Sequence, residues 1–124
     1  MSKQKAQGTA HESATVKALK AVGIRAKRLA EGGSADEGDV ETWIDGDRWI
    51  LEGKATQTLN IQKTLGKARK KAGAMVPVAL VWKRLVPVKG MKVRQPVAGE
   101  RIVVVMGWDD FVMLAQKANG STVE

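Results

Sequence analysis

The chain has 124 residues, 44% of them apolar, with 21 Lys and Arg against 13 Asp and Glu and a formal net charge of +8. That length suits a single domain over 1–124, burying roughly two-thirds of the surface its unfolded chain exposes. The absence of Cys excludes disulfide scaffolds and thiolate-held zinc or iron–sulfur centres, and a lone His, His11, excludes multi-His metal sites and argues against a His-activated nucleophile. No apolar run approaches the ~20 residues of a membrane span, and no signal-peptide apolar region follows the polar start; the expectation is a soluble, cytoplasmic protein with no membrane partner.

A basic balance of this size points to a polyanion, most often nucleic acid. The distribution is informative. Eight of the 13 acids lie between Glu31 and Glu52, and residues 53–99 then carry 11 Lys and Arg and no acid. A pure nucleic-acid clamp has little use for clustered carboxylates, which repel phosphate. Acids beside bases suit a site that holds a metal against a phosphate, although a solvated basic surface with an acidic loop gives the same pattern.

In chain order, residues 1–8 are polar and expected to fray. Thr9-Ala10-His11-Glu12 fits a capping box, predicting a helix to about Val22 with Ala14, Ala18, Leu19 and Val22 inward and Gly23 closing it. Glu12 and His11 then read as helix-start residues. Ile24 to Leu29 reads as a short strand and Ala30 to Gly38 as a Gly/Ser/Asp loop containing Ser34. Val40, Thr42 and Ile44 alternate with polar or aromatic neighbours, Asp45-Gly46 signals a type I′ turn, and Trp49 and Leu51 alternate on the return strand. A helix over about Asn60 to Ala72 places Ile61, Leu65, Ala68 and Ala72 inward and Lys63, Lys67, Lys70 and Lys71 on the other side. Val76 to Trp82 has the continuous apolar run of a strand buried on both faces. Residues 83–100 form a long basic connection, expected to be functional or mobile. Arg101 to Met106 reads as a strand, and Asp109 as N-cap of a last helix with Phe111, Leu114, Ala115 and Ala118 on one face. The fold class is α/β, a layered order α-β-β-β-α-β-β-α. Trp43, Trp49, Trp82 and Trp108 read as core or interface residues.

The turn fixes a register. With Asp45-Gly46 as a two-residue loop, Ile44 faces Asp47 and Asp39 faces Glu52, with Cβ atoms roughly 4.5–5.5 Å apart. Lys54 shares the face of Glu52, because strand side chains repeat every two residues. An Asp, a Glu and a Lys thus meet on one sheet face. Hard carboxylate oxygens suit Mg²⁺, with Mn²⁺ as its substitute, and a nearby ammonium can orient a water or neutralise phosphate charge. The same trio also occurs as a plain cross-strand charge cluster. Arg25 and Arg28 could bind phosphate, though singly they are ordinary surface charges.

The stretches GTAHE at 8–12, GIRAKRLAEGGSADEGD at 23–39 and ILEGK at 50–54 resemble the PD-(D/E)xK nuclease superfamily, and in particular archaeal-type Holliday junction resolvases, some of them phage-borne. The resemblance covers about the first half of the chain and departs from the family at Gly38, where a Pro is common, and at Gly53, where an apolar residue is usual. It implies a restriction-endonuclease-like mixed central β-sheet flanked by helices. It implies that Glu12, Asp39, Glu52 and Lys54 form the catalytic set, with Asp39, Glu52 and Glu12 at the metal. Arg28 would contact the scissile backbone, and Ser34 would lie in a loop over it. It further implies a homodimer acting on four-way DNA junctions, in a prokaryotic cell or a phage-infected host. The basic helix, with Lys63, Lys67, Arg69, Lys70 and Lys71, together with Arg25, would add phosphate contacts. The competing expectations are a related nuclease for flaps, single strands or duplex sites, and a non-catalytic basic DNA-binding protein.

Overall fold

A computed structural model describes residues 3–29 and 39–120; the expected Gly/Ser/Asp loop, Ser34 included, lies outside the described residues. The protein is an α/β structure in three layers. Helix α1 (Lys3–Ala21) leads to strands β1 (Ala26–Arg28), β2 (Asp39–Ile44) and β3 (Asp47–Lys54), then to helix α2 (Ile61–Ala72) and strand β4 (Val78–Trp82). Two short strands, β5 (Leu85–Val86) and β6 (Gln95–Pro96), precede strand β7 (Val103–Met106) and helix α3 (Trp108–Ala118). The main sheet has the order β1-β2-β3-β4-β7. It is mixed: β3 and β4 run parallel through the α2 crossover, and the other neighbours are antiparallel.

The β2–β3 turn has the expected chemistry. Asp45 and Gly46 have φ of 50° and 83°, the two positive angles a type I′ loop requires. The register follows, from Ile44 opposite Asp47 to Asp39 opposite Glu52. Alternation then sorts the side chains. Val40, Trp49, Leu51, Ala79 and Val81 point to one side, where Val16 and Leu19 of α1 and Met113 and Leu114 of α3 cover them. Ile50, Val78 and Leu80 point to the other, where Leu65 and Ala68 of α2 cover them. β4 is buried on both faces, as its unbroken apolar run requires.

Two helix starts differ from expectation. α1 begins at Lys3, so Thr9 lies inside the helix and the capping box is overturned; Lys, Gln and Ala are good helix formers and carry the helix upstream through Thr9. Its inward stripe is His11, Glu12, Thr15, Val16 and Leu19, while Ala14, Ala18 and Val22 are exposed. His11 is buried rather than an exposed helix-start residue, and its Nε2 donates to the Val81 carbonyl at 2.8 Å, bolting α1 to β4. α3 is capped by Gly107, and Asp109 sits inside the first turn, where it binds Arg69 at 2.9 Å. α2 starts as expected: Asn60 accepts from the Lys63 backbone N–H.

The 83–100 connection is tied down. Gln7 of α1 donates to the Arg94 carbonyl at 2.8 Å, Arg94 donates to the Ala55 carbonyl at 3.4 Å, and Arg84 binds Glu100 with two hydrogen bonds. Among the described residues no helix is long and apolar enough to cross a membrane.

Gly46→Ala should cost about 1 kcal/mol, because a Cβ is disfavoured at positive φ whatever the space around it. Urea denaturation checks this; an unchanged midpoint would mean that the turn does not hold the register.

Candidate active site

The turn and the pleat bring Asp39 and Glu52 face to face at the start of β2 and near the end of β3. Both are buried, at 3% and 7% exposure. Their side chains point to the α2 side, and the ammonium that meets them comes from that helix. Lys71 Nζ lies 3.1 Å from Asp39 Oδ2 and 3.3 Å from Glu52 Oε1. Asp39 Oδ1 is buried and has no hydrogen-bond partner. An unpaired carboxylate oxygen in this position is costly unless something supplies positive charge.

The electrostatics follow from that geometry. Burial first, and then the hydrogen bond and charge of Glu52, push the Asp39 carboxyl up from 3.8 to about 7, against the pull of Lys71. Burial also opposes the charge on Lys71, but its hydrogen bond to Asp39 and the two negative charges outweigh it and raise its pKa above the ordinary lysine value. Asp39 and Glu52 therefore strain against each other, and one ammonium holds them together. This is the environment in which two carboxylates share a cation readily.

Other expected residues are distributed less simply. Lys54 is half-buried and shares the face of Glu52 by alternation, opposite Trp82. The ammonium that reaches the carboxylate pair is nevertheless that of Lys71, expected from the sequence to face phosphate on the outer side of its helix. Glu12 is buried at 5% exposure and accepts from Arg28 Nε at 3.2 Å. Arg28 stands opposite Val40, a residue of the α1-side core, so this ion pair lies on the far side of the sheet from Asp39 and Glu52. Among the described residues no three of His, Asp and Glu converge as a metal cage. The structure thus brings two of the three expected metal ligands together and leaves Glu12 as the partner of Arg28.

The basic residues divide likewise. Lys63, Lys67 and Lys70 are exposed along α2. Arg69 is drawn to Asp109. Arg25 lies over the ring of Trp43 at 3.8 Å, a cation–π contact. A second carboxylate was not singled out in the sequence: Glu41, buried at 7% exposure, binds Arg48 and, at 3.5 Å, Lys27. Burial pushes its carboxyl up, and the two cations outweigh that and hold it below the usual range. The register carries the signal, since Lys27 faces Glu41 directly and Arg48 is its diagonal neighbour across β3. Beside this cluster a cavity of about 120 Å³ is lined by Leu29, Asp39, Arg48, Ile50, Lys71 and Ala72.

No family model, curated protein or solved structure matches this chain.

The Asp39 shift has a definite sign. The folded state holds this proton to about pH 7, whereas the unfolded state loses it near 3.8, so the group lowers stability as pH rises from about 4 to about 7. Asp39→Asn should therefore be more stable than the parent at pH 8, by about 1–2 kcal/mol after the loss of its Lys71 contact, with the gap closing by pH 4. Denaturant titrations at both pH values check this; an equal gap at both would remove the buried carboxylate as its cause.

Proposed function

We propose that this chain is a Mg²⁺-dependent, structure-selective endodeoxyribonuclease of PD-(D/E)xK type, built on a restriction-endonuclease-like sheet. Its substrate is branched DNA, Holliday junctions foremost. The observation that carries the reading is the directly opposed, buried Asp39–Glu52 pair beside a helix that exposes Lys63, Lys67 and Lys70.

The residues present fit a hard divalent ion. Mg²⁺ is commonly held by one or two carboxylates and fills its remaining positions with water and phosphate oxygens. Asp39 and Glu52 supply two such groups, and Asp39 Oδ1 is an acceptor without a donor. When bound there, the ion would acidify a water and stabilise charge on the phosphoryl oxygen. Lys54, on the Glu52 face, is positioned to orient the attacking water or to neutralise the phosphate. Glu12 serves through Arg28, holding the guanidinium at the end of β1 for the DNA backbone. The α2 lysines meet flanking phosphates, which gives affinity and salt dependence without sequence reading.

Paired cuts across a four-way junction call for two copies related by a two-fold axis. The β7 edge supports that assembly. At the opposite edge of the sheet, β1 carries Lys27 and Arg28, charges of the kind that block strand addition. β7 has no charge from Ile102 to Met106, and Val103 and Val104 are 41% and 57% exposed.

Glu52→Gln should abolish metal-dependent cleavage of a labelled mobile junction on a denaturing gel while junction binding persists. Full cleavage by that variant would refute the enzyme reading. Binding by the parent with no Mg²⁺- or Mn²⁺-dependent product would identify a non-catalytic DNA-binding protein, and preferred cutting of flaps or linear DNA would reassign the substrate. Lys67→Ala should lower the salt dependence of binding by about one ion. In sedimentation, the parent should be a dimer at micromolar concentration and Val104→Lys a folded monomer; a monomeric parent sinks the two-fold assembly.

A further inference from the structure

We infer that Lys71 is a built-in competitor for the metal: its ammonium holds one oxygen each of Asp39 and Glu52 and weakens the hold of a divalent ion on that pair. The inference rests on the reading of that pair as a metal site, and not on any cleavage activity.

The argument begins with the oxygens. Lys71 Nζ contacts Asp39 Oδ2 and Glu52 Oε1, one from each carboxylate, at 3.1 and 3.3 Å. Asp39 and Glu52 would hold a divalent ion through carboxylate oxygens, and Lys71 already engages one from each residue. An ammonium and a divalent ion repel, so each weakens the other's hold on the carboxylate pair. Without a cation beside them, two buried carboxylates would confront each other, which accounts for a lysine at this position.

The side chain is also built to leave. Lys71 is the next-to-last residue of α2, followed by Ala72 and by Gly73 at the helix end. About a quarter of its side chain, 27%, is already in solvent. A four-carbon stem carrying a strongly hydrated point charge can swing outward at little cost, which a guanidinium forked across both carboxylates would resist. Once out, the ammonium joins Lys67 and Lys70 on the same helix. Phosphate bound along α2 would therefore draw Lys71 from the pair, so that nucleic-acid binding and metal loading favour one another.

The experiment uses Mn²⁺ alone, without DNA, titrated into the full chain and followed by the paramagnetic resonance signal of the free ion. Lys71→Met should tighten Mn²⁺ binding about tenfold, the loss of two partly exposed charge pairs. Lys71→Arg should weaken it, and Lys17→Met, on helix α1 across the sheet, should leave it unchanged. Should Lys71→Met fail to fold, the arginine variant and the reductively ¹³C-methylated parent decide, because Mg²⁺ should then shift the Lys71 methyl signal toward that of a free lysine. Mn²⁺ binding that is abolished by Asp39→Asn but equal in the parent and both Lys71 variants would overturn the competitor role and spare the metal site. No Mn²⁺ binding by the parent or any variant would overturn both.

Discussion

Two carboxylates on adjacent strands, opposed in register and out of water, are unstable neighbours, and much of the local design answers that conflict. Each oxygen repels the other, and desolvation removes the water that would screen them. The protein keeps them together with a single ammonium delivered from a helix on the same side of the sheet. Burial and the neighbouring Glu52 nonetheless make Asp39 hold its proton to about neutrality, against the pull of that ammonium. A site of this kind is expensive for stability alone. Well-packed apolar residues in those positions would serve the fold as well or better, which is the reason for reading the pair as functional.

The architecture explains how such a pair is assembled. A tight turn aligns the strands, and the parallel β3–α2–β4 crossover returns a helix over the face that carries Glu52. Leu65 and Ala68 seat α2 on Ile50, Val78 and Leu80, and this apolar seat determines where the end of the helix falls. Lys71 reaches the carboxylates from the last turn of α2, beside Ala72, which packs against the same apolar cluster. The opposite face is organised separately, with Glu12 and Arg28 paired beneath α1 and His11 tying that helix to β4. Sheet alternation divides the ionisable groups into two sets that residue spacing alone would merge.

Surface charge follows the same division. The cations left exposed on α2 form a surface suited to phosphate, whereas Arg48 and Lys27 are spent on Glu41, and Arg69 on Asp109. A net charge of +8 already counts those acids, but it says little about where the excess positive charge lies. The geometry leaves Lys63, Lys67 and Lys70 exposed along α2.

Residues close in the chain were legible beforehand, because their conformations are local. Asp45-Gly46 demands two positive φ angles, and from that loop the Asp39–Glu52 opposition follows by counting along a two-residue repeat. Asn60 as a cap and the buried run of β4 are local in the same sense. The long-range terms were not legible. The inward phase of α1 is set by what the sheet offers it, so His11 and Glu12 turned inside and the alanines outside. The identity of the cation between the carboxylates depended on where α2 ends over the sheet, and Lys71 rather than Lys54 met that condition. Hairpin register is a property of a few consecutive backbone angles; the partner of a buried charge is a property of layers packed from distant parts of the chain.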